Sequence, residues 1–351
     1  MRAARWHGRR DVRIDNIPEP RIESDEEVLI EVACCGLCGT DVHEYADGPV
    51  LLPATSPNPL SGVSVPVVLG HEVAGTVIAA GKDVTRVKVG DRVAVCPVIS
   101  CNSCTWCKLG YRGLCANGAT LGLSWHSGGL SRVVRAYEYM CYRLPRTVDD
   151  EMGAIVGNIG EALHAIGRAN MTSGDVCAIV GGGAVGLSLL QVARAKGAGS
   201  VIVIEPNRLR RDLAIGLGAK GVIDPQANEP LELAETMTLG LGFDVVFEAA
   251  GIGSTGLLAT RLAKTRGRVV IMGIFPEPAP MDYLRLVEGE RTVVGSATSY
   301  GDFAEAISLL EQEQVDVKRI ITDRITLDEV PAKLESLSEH QTEDIKVLVR
   351  P

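Results

Sequence analysis

Two hydrophobic rhythms divide the chain. Up to about residue 148, short Val/Ile-rich runs recur at 26–36, 73–81 and 91–98, each bounded by Gly, Asp or Pro, and this pattern predicts β-strands. Between the first two runs lies a stretch, 47–66, with five prolines and no period. It predicts a long loop, and loops of that length carry a function or stay disordered. At residue 149 the rhythm changes. Residues 149–169 open on acidic residues, place apolar positions at helical spacing and end near glycine, which predicts a helix.

From residue 176 strand-like and helix-like runs alternate. Strands are predicted at 176–181, 200–205, 221–224, 243–249, 268–273 and 292–297, and helices at 187–197, 208–218, 231–239 and 255–265. Strands that are apolar on both faces and separated by helices build a doubly wound parallel sheet, here of six strands, so the fold class is α/β. The closing run, 345–351, predicts a strand that rejoins the first domain.

Length and composition narrow the picture. At 351 residues the chain exceeds one ordinary core, so two domains are expected. A net charge of −9 and an aromatic content of 4% argue against nucleic acid and anionic membrane as partners. The first ten residues are rich in Arg and lack the apolar core of a signal peptide, and no apolar run reaches the length of a membrane span. A cytoplasmic protein is expected. Ten cysteines then read as metal ligands and reduced thiols, with Cys34, Cys35, Cys96, Cys141 and Cys177 as small buried hydrophobes.

Four of the ten stand close together: Cys101, Cys104, Cys107 and Cys115. Gaps of two turn successive thiolates onto one centre, and the longer last gap lets a loop close the fourth side. Four thiolates suit a closed tetrahedral zinc site, with an iron–sulfur cluster or four free thiols as the other readings. A second signal is the turn Gly181-Gly182-Gly183-Ala184-Val185-Gly186, which follows a predicted strand and opens a predicted helix. Gly181 suits a tight turn, Gly183 lets the backbone approach a pyrophosphate, and Gly186 permits close packing of helix on strand. Glu205, nineteen residues beyond Gly186, is placed to accept from ribose hydroxyls, which favours NAD over NADP. Arg208, Arg210 and Arg211 stand near it as possible phosphate partners. Glu248, Ile271, Gly273 and Ile274 fall at the carboxyl ends of later strands, where ligands collect.

Two further strings complete a set. One is Gly36-Leu37-Cys38-Gly39-Thr40-Asp41-Val42-His43; the other is Gly70-His71-Glu72-Val73-Ala74-Gly75, with Gly81 and Val84 beyond it. With the cysteine lobe and the glycine turn, they resemble the zinc-containing medium-chain dehydrogenases over essentially the whole chain. Ala4-Arg5-Trp6-His7, Gly48-Pro49, Pro57-Asn58-Pro59-Leu60 and Lys346-Val347-Leu348-Val349 are similar to the polyol branch of that family. The resemblance implies a GroES-like, mostly β catalytic domain over 1–153 and 297–351, with a structural zinc lobe at about 96–116. It implies a Rossmann coenzyme domain over 154–296. It also implies a catalytic zinc held by Cys38 and His71, which lowers the pKa of an alcohol so that hydride can pass to nicotinamide. Thr40 then matches the hydroxyl that touches the substrate oxygen, His43 the outer group of a proton relay, and Asp41 the partner that orients His71. The implied substrate is a small secondary alcohol, a vicinal diol or polyol, or the matching hydroxyketone. The Pro-rich loop would cover its pocket, with Tyr45 as a wall and Trp125 and His126 near the cleft. A homodimer or homotetramer is implied.

The pattern departs at one point. Aligned on Leu163-His164-Ala165, the family's Glu-Pro falls on Gly157-Asn158. Glu161, one helical turn on, or Glu72, beside His71, is expected to supply the third contact to the metal. Two other readings stay open: a reductase of conjugated C=C or C=N bonds with weak or absent catalytic zinc, and a nucleotide-binding scaffold without catalysis.

Overall fold

The computed structural model describes residues 1–275, 277–339 and 342–351. The chain forms two compact units, one of residues 1–157, 303–311 and 321–351, the other of 158–302 and 312–320. The division expected at 153/154 and 296/297 therefore falls at 157/158 and 302/303. The segment 312–320 also belongs with the second unit, where Gln191 Oε1 accepts from Asp316 N at 2.6 Å and Gly216 O from Arg319 Nη1 at 2.6 Å.

The second unit is built on six parallel strands. Numbered in chain order their spatial sequence is 3-2-1-4-5-6: Gly221–Ile223, Ser200–Ile204, Val176–Val180, Phe243–Glu248, Ala263–Ile271 and Thr292–Gly295. Val176–Val180 and Ser200–Ile204 are buried over four consecutive residues each rather than alternately. That is how a strand covered by helices on both faces behaves. Ala178, Ile202, Ile204, Phe243, Val246 and Val269 form the core of one face. The fifth strand starts at Ala263, five residues before its predicted start. Ala263 pairs with Phe243, a bulge follows, and pairing resumes at Arg268 with Val245.

In the first unit a sheet runs through Cys141–Arg143, Arg92–Val95, Glu72–Ala80, Glu27–Leu37, Lys346–Arg350 and Ile321–Thr326, and Val133–Tyr137 also pairs with Glu27–Leu37. The last strand does rejoin the first domain: Val347 stands opposite Leu37 and Val349 opposite Cys35. The predicted helix over 149–169 is two helices, Asp150–Ala154 and Val156–Ala169. The break falls where Ile155 N donates to Met152 O, a tightened last turn.

The Pro-rich stretch has no regular structure but is held by side chains that accept from its backbone. Glu44, fully buried, accepts from Val50 N at 2.9 Å and from Leu51 N. Asn58 Oδ1 accepts from Leu60 N and Ser61 N, and Asn58 Nδ2 donates to Gly118 O. Tyr45, expected as a wall of the substrate pocket, lies in the core of this unit at 6% exposure. Trp125 is likewise in this core, edge-on to His126, whose own side is exposed.

Phe247 is completely buried in the middle of the parallel sheet. Phe247→Ala is expected to destabilise the second unit by about 3–5 kcal/mol, read as a lowered urea midpoint for its unfolding.

Candidate active site and metal centre

The four-cysteine lobe projects from the short strand pair Val98–Ile99 and Ala119–Thr120. Of its cysteines only Cys107 is buried, and Trp106, Leu109, Tyr111 and Leu114 are exposed, so the lobe has almost no apolar core of its own. The sulfurs make up the deficit. All four lie within 4.8 Å of one another, with Cys101–Cys115 at 3.4 Å, Cys104–Cys107 at 3.5 Å and Cys104–Cys115 at 3.9 Å. Four ligands at the usual Zn–S length of about 2.3 Å sit about 3.8 Å apart at the corners of a tetrahedron. A cluster of several irons would share the thiolates among different metal atoms and spread them further. Charge points the same way. Ser103 and the Cys104 N–H donate to the Cys101 sulfur and draw its pKa down to about 5, while burial and the neighbouring Cys101 push Cys115 up to about 12. Only a cation at their centre lets all four be thiolates together.

The second constellation sits where the strands Glu27–Leu37 and Glu72–Ala80 end. Their ladder closes at the pair Gly36–Glu72. Just beyond it, Cys38 caps the helix Gly39–Ala46 on one side and His71 precedes the strand on the other. Asp41, with no exposure, accepts from Cys38 N at 2.9 Å through Oδ2 and turns Oδ1 to within 3.7 Å of His71 Nδ1. Both of those facing atoms are buried without a hydrogen-bond partner. Thr40 Oγ1 lies 3.7 Å from Cys38 Sγ, and His43 is half-buried on the same helix. Burial alone would depress the His71 pKa, but the charges of Asp41 and Cys38 outweigh it and raise it to about 10. Burial raises the Asp41 pKa, against the pull of His71. A thiol and an imidazole side by side, backed by a buried carboxylate, form a pocket that demands positive charge. These residues fit a zinc ion, with Nδ1 turned to Asp41 and Nε2 left for the metal.

The expected third contact is not assembled in the first unit. Glu72 is turned to Lys346, whose ammonium donates to both carboxylate oxygens at 2.7 Å. Among the described residues, the four lobe cysteines are the one set of three or more His, Cys, Asp or Glu donors that converge. Glu161 is half-buried on Val156–Ala169 and belongs to the second unit. At Gly157, where the family carries its carboxylate, the nearest atom to an added Cβ would be Phe303 Cζ at 3.8 Å, so the departure does not arise from crowding.

In the second unit the glycine turn joins the strand Val176–Val180 to the helix Ala184–Ala195. Gly181 has φ +109°, which a side chain disfavours, and a Cβ on Gly186 would collide with Gly181 O. Gly183 precedes the helix Ala184–Ala195 with open space around it, and Gly183, Ala184 and Val185 keep partial exposure. The turn fits a pyrophosphate at the helix N-terminus. Glu205 accepts from Gly182 N at 2.6 Å and Asn207 N at 2.9 Å. Arg211 donates to the carbonyls of Glu205 and Pro206 and pairs with Asp224 at 2.8 Å, and Arg208 pairs with Asp212. Arg210 is half-buried and its N–H caps onto Asn207 Oδ1. Glu248 is buried and accepts from Ala250 N, Gly251 N and Thr255 Oγ1. Gly273 N donates to Glu248 O, and Ile274 is exposed beside Gly251.

A mostly β unit with a thiol–imidazole pair, a four-thiolate lobe and a six-stranded dinucleotide sheet define a zinc-type alcohol dehydrogenase, and the chain belongs to that family. Residues 24–146 match the alcohol dehydrogenase GroES-like domain, and residues 184–312 match the zinc-binding dehydrogenase domain. The chain is 33% identical to the (R,R)-butanediol dehydrogenase of Bacillus subtilis strain 168, over 100% of both sequences. The crystal structure of 2R,3R-butanediol dehydrogenase from Bacillus subtilis superposes with a TM-score of 0.92, covering 100% of this chain and 99% of that one. A zinc-binding dehydrogenase from Sinorhizobium meliloti 1021, solved bound to NADP, is 32% identical with a TM-score of 0.89, over 100% of this chain and 99% of that one. The fold expected from the sequence, GroES-like plus a six-stranded Rossmann sheet, is the fold found.

Sequence reasoning missed Lys346 as part of the active-site architecture. Its one signal was a lysine immediately before the apolar run Val347-Leu348-Val349 of the terminal strand.

Cys104→Ser is expected to lower zinc content by about one per chain. Limited proteolysis of that variant should then cut first within 100–115, while the parallel sheet stays resistant.

Proposed function

We propose that this chain is a zinc-dependent, NAD-linked dehydrogenase of a small vicinal diol such as 2,3-butanediol, or a reductase of the matching hydroxyketone such as acetoin. The observation that carries this reading is the buried Cys38–His71–Asp41 corner, which calls for a cation, in a chain similar over its whole length to a butanediol dehydrogenase. A zinc ion at Cys38 and His71 supplies Lewis acidity toward a hydroxyl or carbonyl oxygen. Asp41 Oδ1 faces His71 Nδ1 at 3.7 Å and orients the ring by charge. Thr40, beside Cys38, accepts the proton of the reacting hydroxyl at Oγ1 as it gives up its own toward His43, which releases one to solvent. Glu44 anchors the Pro-rich loop to the helix that carries Thr40 and His43, so the loop that selects the substrate moves with the proton path.

The coenzyme is NAD. Glu205 keeps a buried carboxylate beside the glycine turn, which would repel a 2′-phosphate, and Arg211 is already committed to backbone carbonyls and Asp224. A homo-oligomer is inferred from the edge of the coenzyme sheet. Thr292–Gly295 pairs on one side only, and Tyr283, Leu284 and Val287 stand exposed on the preceding helix. A reducing compartment, the cytoplasm, suits four ligand thiols together with buried Cys34, Cys35, Cys96, Cys141 and Cys177.

Elemental analysis of the metal-loaded protein should find about two zinc ions per chain, and Cys38→Ser should lose one of them. That variant should keep NAD binding by fluorescence titration and lose on the order of a thousand-fold in kcat/KM for 2,3-butanediol. A wild-type protein with only the lobe zinc would sink this reading. Glu205→Ser should narrow the preference for NAD over NADP by about ten-fold or more, compared as kcat/KM for the two coenzymes.

A further inference from the structure

Lys346 is the one lysine buried among the described residues, 2% exposed, and its ammonium sits at a particular place. It donates to both oxygens of Glu72 at 2.7 Å and to Leu37 O at 3.1 Å. Leu37 immediately precedes Cys38, and Glu72 immediately follows His71. One cation therefore grips the two chain segments that present the sulfur and the imidazole, at the residue next to each.

The ladder between these two strands stops at Gly36 and Glu72. Beyond that last rung no backbone pairing fixes how far Cys38 stands from His71. Lys346 supplies the next cross-tie from a third strand, itself registered on the first by Val347 opposite Leu37 and on Ile321–Thr326 by Lys346 opposite Ile321. Glu72 reaches the lysine by crossing Gly36, where a Cβ would collide with its carboxylate. The glycine is thus the gap through which the tie is made.

We propose that Lys346 is a positioning residue for the catalytic metal. It sets the separation of Cys38 and His71 by tying Leu37 and Glu72, the residue next to each, to one ammonium. The proposal rests on the reading of Cys38 and His71 as the metal-holding pair.

The test uses the full-length protein loaded with zinc, and with cobalt(II) as a spectroscopic stand-in. Wild type is measured first; one metal per chain there would overturn the reading of Cys38 and His71, independently of Lys346. Lys346→Met removes the lysine counter-charge of a buried carboxylate and could fail to fold, so the decisive variant is Glu72→Gln with Lys346→Met, which removes both charges together. In that variant the lobe metal should stay. The second metal should pass to a chelator roughly ten- to a hundred-fold more readily than in wild type, and its cobalt–thiolate absorption should change. Lys346→Arg, which keeps a buried cation with donors for both Glu72 and Leu37 O, should restore both readouts toward wild type. A double variant that holds the second metal as tightly as wild type, with an unchanged cobalt spectrum, would overturn the proposal, whatever its thermal stability.

Discussion

The strand Glu27–Leu37 is the constraint on which the first unit depends. It pairs with Glu72–Ala80, with Val133–Tyr137 and with Lys346–Arg350, so it joins segments from the start, middle and end of the chain. It is also the strand that ends one residue before Cys38. A register slip of one residue would turn every side chain to the opposite face. Here it would also carry Gly36 away from Glu72 and leave the Glu72 carboxylate facing a side chain. The pairing that holds the sheet therefore brings Cys38 and His71 to neighbouring strand ends, and side chains complete the corner beyond the last rung.

The coenzyme unit is organised by a different rule. Its strands are buried on both faces, so little of the sequence within them is free to bind anything, and function collects where the strands end. Gly181, Glu205, Glu248 and Gly273 all stand there. Two of those carboxylates are occupied with loop backbone: Glu205 holds Gly182 and Asn207, and Glu248 holds Ala250 and Gly251. A buried carboxylate that accepts from several N–H groups is an inexpensive way to shape a loop around a ligand.

Much of this was legible along the chain because its signals are local. Continuous apolar runs gave the parallel strands, a two-residue gap repeated twice gave the cluster of four sulfurs, and the glycine string gave the turn between the strand Val176–Val180 and its helix. What was not legible depends on geometry between distant residues. Tyr45 is two positions from His43, but successive helical residues point about 100° apart, so one lies in the core while the other keeps partial exposure. The early start of the fifth strand at Ala263 comes from pairing with Phe243 across a bulge, which no run of residue types announces. Glu72 read as a free carboxylate beside a metal ligand. Its partner is 274 positions away and becomes visible only when the terminal strand is placed in register.

The charges around Cys38 and His71 also explain why this corner fits a cation. Asp41 and Glu72 are buried carboxylates, and Cys38 adds a thiolate once deprotonated. Against these three stands a single buried cation, Lys346. An uncompensated buried charge is costly, so the corner must take up positive charge from elsewhere. Without metal, a proton on His71 does part of this, which is why Asp41 and Cys38 raise the pKa of that ring despite its burial. A divalent ion held by Cys38 and His71 would supply that charge for Cys38 and Asp41, while Lys346 balances Glu72. The lysine therefore matches the Glu72 charge and leaves the demand for a further cation to Asp41 and Cys38.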